Sequence, residues 1–295
     1  MPEGDTIFRA ARTLDRALAG RTVSRFESVF PALTRVHDDT PITGRTIEGV
    51  TAAGKHVLMR FSGDLVLRTH MRMNGSWHIY RPGERWHRSR RDMRIVIGTD
   101  AFEAVGFNVP VAEFLRGRAI QRQDDLRLMG PDLLGASFDE AEAIRRLRAR
   151  ADSAIADALL NQRVVAGIGN VYKSEVLFLC GVNPFTVVAD VDDERLQCLL
   201  ATARTHLHAN VIDPTAAIVT YRGYRRTTRR ADPAERLYVY GRAGQPCRKC
   251  GGRIEIRAQG RDARLTYWCP SCQPPSTSSS APVPPHEQSR GGVSD

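Results

Sequence analysis

The chain has 295 residues, 42% of them hydrophobic, and a formal net charge of +10. The length gives room for two or three domains with ample core, and the charge points to a polyanionic partner, nucleic acid first and an acidic membrane surface second. No apolar run approaches the about 18 residues that a transmembrane helix needs, and the N-terminus has acidic residues where a secretory signal would be apolar, so the expected compartment is the cytoplasm. Of 43 basic residues only Lys55, Lys173 and Lys249 are lysines. Arginine suits bidentate phosphate contacts, although a coding bias toward arginine explains the excess equally well.

Met1-Pro2-Glu3 opens the chain. With Met1 removed, Pro2 presents a secondary amine, and an amine attacks an electrophilic carbon to form a Schiff base. An α-amino group titrates at roughly 7.7–8.0, against roughly 10.4 for lysine, so a useful fraction is neutral and nucleophilic near neutral pH. Glu3 stands beside it to shuttle protons. Many proteins begin Met-Pro for no catalytic reason, so this dipeptide needs support from the rest of the chain. Ile7, Ala11, Leu14 and Leu18 then fall on one face of a helix that stops near Gly20, with Asp5 or Thr6 as its N-cap. The positive end of that helix favours ionised Glu3, which suits a base better than an acid.

Residues 21–115 read as short strands with turns. Val57, Met59 and Phe61 alternate, as do Leu65 and Leu67, Trp77 and Ile79, and Met93, Ile95 and Ile97. The pattern suits a sandwich or barrel-like sheet domain. Arg81, Arg85, Arg88, Arg90 and Arg91 form a solvated hairpin tip, with phosphate contact as the alternative. Residues 116–130 read as an interdomain linker, and from Ser137 the chain is helical: Asp139–Arg150 with Ile144 and Leu147 inward, Ser153–Val165, Asn170–Cys180 and Asp192–His208. Cys180 and Cys198 lie in apolar helical stretches and read as buried free thiols. Between the second and third helices, Gly167-Ile168-Gly169-Asn170 permits positive φ and close backbone approach. Asn170 is placed to cap the next helix, and the exposed amides make either an anion site or an ordinary helix–helix turn.

Residues 221–236 interleave six arginines with two tyrosines. They suit a loop that touches nucleic acid by charge and stacking, or a disordered basic linker. Cys247-x2-Cys250 and Cys269-x2-Cys272, eighteen residues apart, have the spacing of a tetrahedral zinc site. About 35 residues cannot bury a core, so metal closure supplies their stability. The stretches 253–256 and 265–268 read as the strands of a hairpin held by that metal. The tail, Pro274 to Asp295, is rich in Pro and Ser and is expected to be disordered.

Four blocks now stand together: MPEGDT at the start, Gly54-Lys55-His56 before a strand, DALLNQRVVAGIGNVYKSEVLF in the helical region, and YGRAGQPCRKC with RLTYWCPSCQ at the end. In their order and spacing the chain resembles the formamidopyrimidine-DNA glycosylase/endonuclease VIII family over roughly residues 2–273. The resemblance implies an α+β multidomain fold. Its parts would be an N-terminal β-sandwich with a flanking helix (2–118), a linker (119–130), a helix–two-turn–helix domain (131–220), an Arg-rich loop (221–238), a zinc-finger hairpin (239–273) and the tail (274–295). It implies a monomeric, cytoplasmic, nucleoid-associated enzyme that binds damaged double-stranded DNA in the cleft between domains and flips the target nucleotide out of the stack.

The resemblance also implies residue roles. Pro2 would attack C1′ of the damaged nucleotide, expel the base and form an iminium; Glu3 would serve as acid/base. β- and then δ-elimination would cut the strand, so one site combines glycosylase and AP lyase activity. Lys55, Asn170 and Arg264 would grip the phosphates around the lesion, Lys55 and Arg264 as part of the catalytic set, with the Gly167 and Gly169 amides contributing to DNA binding. One structural Zn2+ on Cys247, Cys250, Cys269 and Cys272 would position Arg264. Met73 is the candidate wedge into the space left by the flipped base, against the alternative of a core methionine. The family often has a second carboxylate where this chain has Thr6, with Asp5 one place earlier. The start PEGDT lacks the PELPE of the formamidopyrimidine branch. The first departure leaves open whether a second acidic group contributes; the second favours the endonuclease VIII branch, and with it oxidised pyrimidines over 8-oxoguanine or formamidopyrimidines. A non-catalytic DNA-binding protein on the same scaffold, or a factor whose helical turn and zinc ribbon recognise RNA phosphate, would have no need of Pro2-Glu3.

Overall fold

A computed structural model describes residues 2–116, 124–211, 225–228 and 232–275. The first helix, α1 (Gly4–Leu18), buries Ile7, Ala11, Leu14 and Leu18 as their spacing requires, and the chain leaves it through Gly20 at φ 78°. Its N-cap is Glu3 rather than Asp5 or Thr6. The reason is tertiary: the Gly4 amide donates to the Gly167 carbonyl at 2.9 Å and the Glu3 carbonyl accepts from Ile7 at 3.0 Å, so the helix begins where the chain docks.

Eight strands follow: β1 (Arg25–Ser28), β2 (Ile47–Ala53), β3 (His56–Phe61), β4 (Leu65–His70), β5 (Ser76–Tyr80), β6 (Met93–Gly98), β7 (Glu103–Phe107) and β8 (Val111–Arg116). They make two antiparallel four-stranded sheets, ordered β1-β6-β7-β5 and β2-β3-β4-β8. The expected sandwich is therefore present, with Val57, Met59, Phe61, Leu65, Leu67, Trp77, Ile95 and Ile97 in one core with the inner face of α1. A short helix, α2 (Pro31–Asp39), starts on a proline at its first turn and buries Leu33; sequence periodicity did not reveal it. The Arg-rich segment is not a hairpin tip. Strand β5 pairs with β7 and so does β6, on the other side, so residues 81–92 cross over β7. Arg90 there lies over the Trp86 ring at 5.6 Å and donates to Glu27 at 3.1 Å.

Residues 119–123 of the expected linker lie outside the described residues, and Asp124–Arg127 form a single helical turn, α3. Helix α4 (Glu140–Arg148) is capped by Asp139, whose side chain accepts from the Glu142 amide at 2.9 Å. Helix α5 (Ile155–Leu160) is shorter than its apolar pattern suggests, because Asn161 turns the chain by accepting from the Arg163 amide at 3.0 Å. Val164, Val165 and Ile168 stay buried in that turn. Helices α6 (Asn170–Leu179) and α7 (Asp193–Val211) complete the lobe. The expectation for Cys180 and Cys198 is corrected: the end of α6 and the side of α7 bring their Cα atoms to 6.2 Å, and the two form a disulfide. Strands β9 (Glu255–Gln259) and β10 (Arg264–Trp268) form the hairpin. Residues 221–224 and 229–231 of the Arg-rich loop and 276–295 of the tail lie outside the described residues. Among the described residues no helix is long and apolar enough to cross a membrane.

Candidate active site at the N-terminal turn

Pro2 and Glu3 reach the start of α6 because three glycines let backbones touch. A Cβ on Gly4 would lie 2.8 Å from the Gly167 Cα, and one on Gly169 would lie 2.4 Å from both Cγ and Cδ of Glu3. Gly167 itself sits at φ 107°, which disfavours any side chain. In the space so made, Glu3 is fully buried. Its Oε1 accepts from the Val171 amide at 2.8 Å, and its Oε2 accepts from the Gly169 and Tyr172 amides at 3.2 Å each.

The anion site read from the Gly-Asn turn thus exists, but its occupant is the chain's own carboxylate. An α-helix leaves its first amides unpaired and positive, and Glu3 satisfies three of them. The Gly167 amide donates to Gln162 Oε1 at 3.1 Å. Phosphate binding by the Gly167 and Gly169 amides is therefore corrected, since both are already engaged. Asn170 is the first residue of α6, not its cap, because Gly169 holds that position. Its Nδ2 donates to the Leu265 carbonyl at 2.7 Å, while its buried Oδ1 has no hydrogen-bond partner.

Helix α6 is the hub of the site, which explains why it buries polar residues on nearly every side. Lys173 Nζ donates to Thr266 Oγ1 at 2.7 Å, and the Tyr267 amide donates to Ser174 Oγ at 3.4 Å. Burial pushes the Lys173 ammonium down to about 8, with Asp157 and Glu3 opposing the shift. Glu175, fully buried, accepts from the amides of Tyr238, Val239 and Tyr240 at 2.8 Å each and from the Thr227 hydroxyl. Burial raises its pKa, and those four bonds pull against the rise. One end of α6 thus carries Glu3 and its flank carries the hairpin that bears Arg264.

Lys55 follows Gly54, which turns at φ 54° and donates to Asp132 Oδ2 at 2.9 Å, tying the β2–β3 turn to the second lobe. Burial lowers the Lys55 pKa; Glu3 raises it, while Arg264 and Arg225 lower it further, so Lys55 lies within electrostatic reach of all three. Arg264 opens β10, half-exposed, 3.5 Å from Asp262. Beside Lys55 a cavity of about 440 Å3 is lined by His70 and Arg72 from one lobe and Asn161 and Arg163 from the other, a cationic cleft of the kind a polyanion enters. Met73 is 56% exposed on the β4–β5 turn while Met71 is in the core, so Met73 is not a core methionine.

The four cysteine sulfurs of Cys247, Cys250, Cys269 and Cys272 all lie within 4.8 Å of one another. A tetrahedral thiolate site with bonds of roughly 2.3 Å has that compactness, so the donor set fits one metal ion with no open position. Pro2 adjoins Glu3, whose carboxylate acts on Lys55 as Arg264 does, and Asn170 reaches the Leu265 carbonyl beside Arg264. Lys173, Glu175 and Arg225 carry no site expectation from the sequence, and Asp5 was weighed only as a helix cap or a second acidic group. The scarcity of lysine was a signal for Lys173; the other two are visible only through their partners.

The sequence matches the formamidopyrimidine-DNA glycosylase N-terminal domain over residues 1–109 and the formamidopyrimidine-DNA glycosylase H2TH domain over residues 129–220. It is 42% identical over 276 residues, covering 92% of this chain and 94% of the relative, to a Streptomyces coelicolor protein called "Probable endonuclease 8 2". It is 36% identical over 274 residues, 92% and 99% of the two chains, to the DNA-(apurinic or apyrimidinic site) lyase Nei2 of Mycolicibacterium smegmatis. Among solved structures, the Lactococcus lactis Fpg in complex with DNA containing an abasic site superposes with a TM-score of 0.77 at 22% identity, covering 93% of this chain and 100% of that one. A two-lobed DNA-repair enzyme is the class that fold and sequence define together. The chain belongs to the formamidopyrimidine-DNA glycosylase/endonuclease VIII family of DNA glycosylases and AP lyases, on its endonuclease VIII side.

Proposed function

We propose that the protein is a bifunctional glycosylase and AP lyase that acts on oxidised bases, pyrimidines foremost, in double-stranded DNA, with Pro2 as the amino-terminal nucleophile of the processed chain. The observation that carries this reading is Glu3, fully buried and held by three amides next to Pro2. A carboxylate fixed in this way cannot drift from the amine it serves, and holding reacting groups in place is where much of a catalyst's effect arises.

In the reaction the Pro2 nitrogen bonds to C1′ as the glycosidic bond breaks, and the base leaves with its electron pair and takes a proton. Ring opening gives an iminium. Its positive charge acidifies a 2′ hydrogen, whose removal expels the 3′ phosphate; a second elimination expels the 5′ phosphate, and water releases Pro2. Glu3, ionised at the outset, takes the proton that the Pro2 nitrogen sheds as the iminium forms, passes it to the opening ring oxygen, and accepts protons in the later transfers. Lys55 and Arg264 grip the flanking phosphates, the first as a point charge and the second as a fork. Asn170 adds a donor by the second N–H of its amide, and Met73 enters the stack where the base has left. Zn2+ on the four cysteines is structural and holds the hairpin rigid for Arg264.

Borohydride trapping tests the reading. Protein with verified loss of Met1 is mixed with duplexes carrying an abasic site, thymine glycol or 8-oxoguanine and then reduced. A covalent adduct is expected on the first two, and weaker or none on the third. No adduct on any duplex overturns the covalent mechanism; preferential trapping on 8-oxoguanine overturns the substrate assignment.

A further inference from the structure

Asp5 lies in the first turn of α1, two residues beyond Glu3, and is fully buried. A buried carboxylate needs a partner, and the partner comes from 220 residues away. Arg225 Nε donates to Asp5 Oδ1 and Oδ2 at 3.0 and 2.9 Å, its Nη2 donates to Oδ1 at 2.8 Å, and the same Nη2 donates to Thr6 Oγ1 at 2.8 Å. The guanidinium lies 5.6 Å over the ring of Tyr172, whose amide holds Glu3. Burial works against the charge on Arg225, but Glu3 and Asp5 outweigh it and keep the guanidinium protonated beyond its usual range.

The seam is fastened on both sides of this pair. Arg9, 3.6 Å from Asp5, donates to the Asn210 carbonyl in α7 at 2.6 Å. Asn210 exchanges two hydrogen bonds of 2.8 Å with the Arg226 backbone, and Thr227 donates to Glu175 of α6. Residues 225–228 therefore touch α1, α6 and α7 where Pro2 meets the helical lobe.

We infer that the Asp5–Arg225 pair latches the N-terminal turn onto the helical lobe, which makes Arg225 a positioning residue for the Pro2 amine and the Glu3 carboxylate. The latch acts through Asp5: only Gly4 separates it from Glu3 at the start of one helical turn, so freedom gained at Asp5 is passed to the dipeptide. Arginine suits the role because its planar fork fixes orientation as well as charge, which a lysine does not. This inference rests on the covalent reading given above.

The test is a double-mutant cycle with Asp5→Asn and Arg225→Ala. Two quantities are read: the single-turnover rate of borohydride-trapped adduct on a pre-formed abasic site, and Kd for a duplex carrying the uncleavable tetrahydrofuran analogue. Each single variant is expected to slow trapping by about 10- to 100-fold with Kd within about threefold, and the double variant to be no slower than the slower single. Arg225→Lys, which keeps charge without the fork, is expected to recover only part of the rate. A folded Arg225→Ala as fast as wild type, losses that multiply in the double variant, or an effect confined to Kd overturns the latch. If Arg225→Ala does not fold, Arg225→Gln and Asp5→Asn form the same cycle. A wild type that traps nothing overturns the covalent reading and the positioning role with it, an outcome distinct from wild-type trapping that the variants match.

Discussion

Replacing Gly169 with alanine strikes the point where catalysis and folding share atoms. The new Cβ would fall 2.4 Å from Cγ and Cδ of Glu3 and 2.7 Å from its Oε1. Carbon atoms prefer about 3.5 Å or more, so the carboxyl group must retreat by roughly 1 Å. Hydrogen bonds of 2.8 to 3.2 Å to Val171, Gly169 and Tyr172 would then lengthen past useful geometry. Hydrogen bonds to charged groups contribute about 1.5–3 kcal/mol each, and partial relaxation leaves an expected net loss of about 3 kcal/mol for the set. A 1 Å misplacement also costs about 100-fold in rate. The assay pairs chemical denaturation with single-turnover base release from a thymine glycol duplex. The decisive control is the same change in a Glu3→Ala background, where the clashing atoms are gone and the stability loss should shrink toward zero. Full activity in Gly169→Ala, or an equal stability loss in both backgrounds, refutes the account of the cradle.

Arg264→Ala is expected to weaken binding to all duplexes alike and to reduce the slope of log affinity against log salt by about 1; an unchanged slope removes Arg264 from the phosphate contacts. Removing metal is expected to unfold residues 247–272 and depress activity through loss of the hairpin; full activity in verified metal-free protein contradicts that. Lys173 is charged more readily unfolded, at about 10.4, than folded, at about 8. Between these values the unfolded chain binds more protons, so stability rises with pH, by about 2 kcal/mol from pH 7 to 9.5. Lys173→Met should lack that rise in urea melts, and an identical pH dependence would refute it. Glu3→Gln is expected to retain DNA binding, to stop base release and, because one amide oxygen replaces two acceptors, to lose about 1–3 kcal/mol of stability; unchanged melts would show that the cradle tolerates the amide.

The strands of the sandwich and the helices of the second lobe were legible because their apolar residues recur with a period the geometry imposes. Val57, Met59 and Phe61 had to share a face, and so did Ile7, Ala11, Leu14 and Leu18. The cysteine quartet was legible because metal-ligand spacing is local. What escaped sequence reasoning depended on long-range contact. Asp5 looks like an N-cap until Arg225 is seen to claim it. Asn170 looks like a cap until Gly169 takes that place and the Leu265 carbonyl takes its amide. Cys180 and Cys198 look like separate core thiols because neither helix alone reveals how the two pack. The resemblance pointed to Glu3 and Lys55, but not to how Glu3 is held.

The manner of holding is what joins fold to function. Glu3 caps α1 with its backbone while its side chain supplies the acceptor that the start of α6 requires. Neither helix end is satisfied without the other, so docking the N-terminal turn on the second lobe and burying the Glu3 carboxylate are one event. Glycine at positions 4 and 169 follows from this, since a Cβ there would strike the Gly167 backbone and the Glu3 side chain, while Gly167 is required by its φ of 107°. The same logic explains the crowd of polar groups along α6. Each of Lys173, Ser174 and Glu175 is buried at a cost in desolvation, and each makes a hydrogen bond to the hairpin or the segment leading to it. An apolar α6 would pack as tightly but would allow the hairpin to slide. The polar contacts fix its register, and so fix the distance between the carboxylate at one end of α6 and the guanidinium of Arg264 on β10.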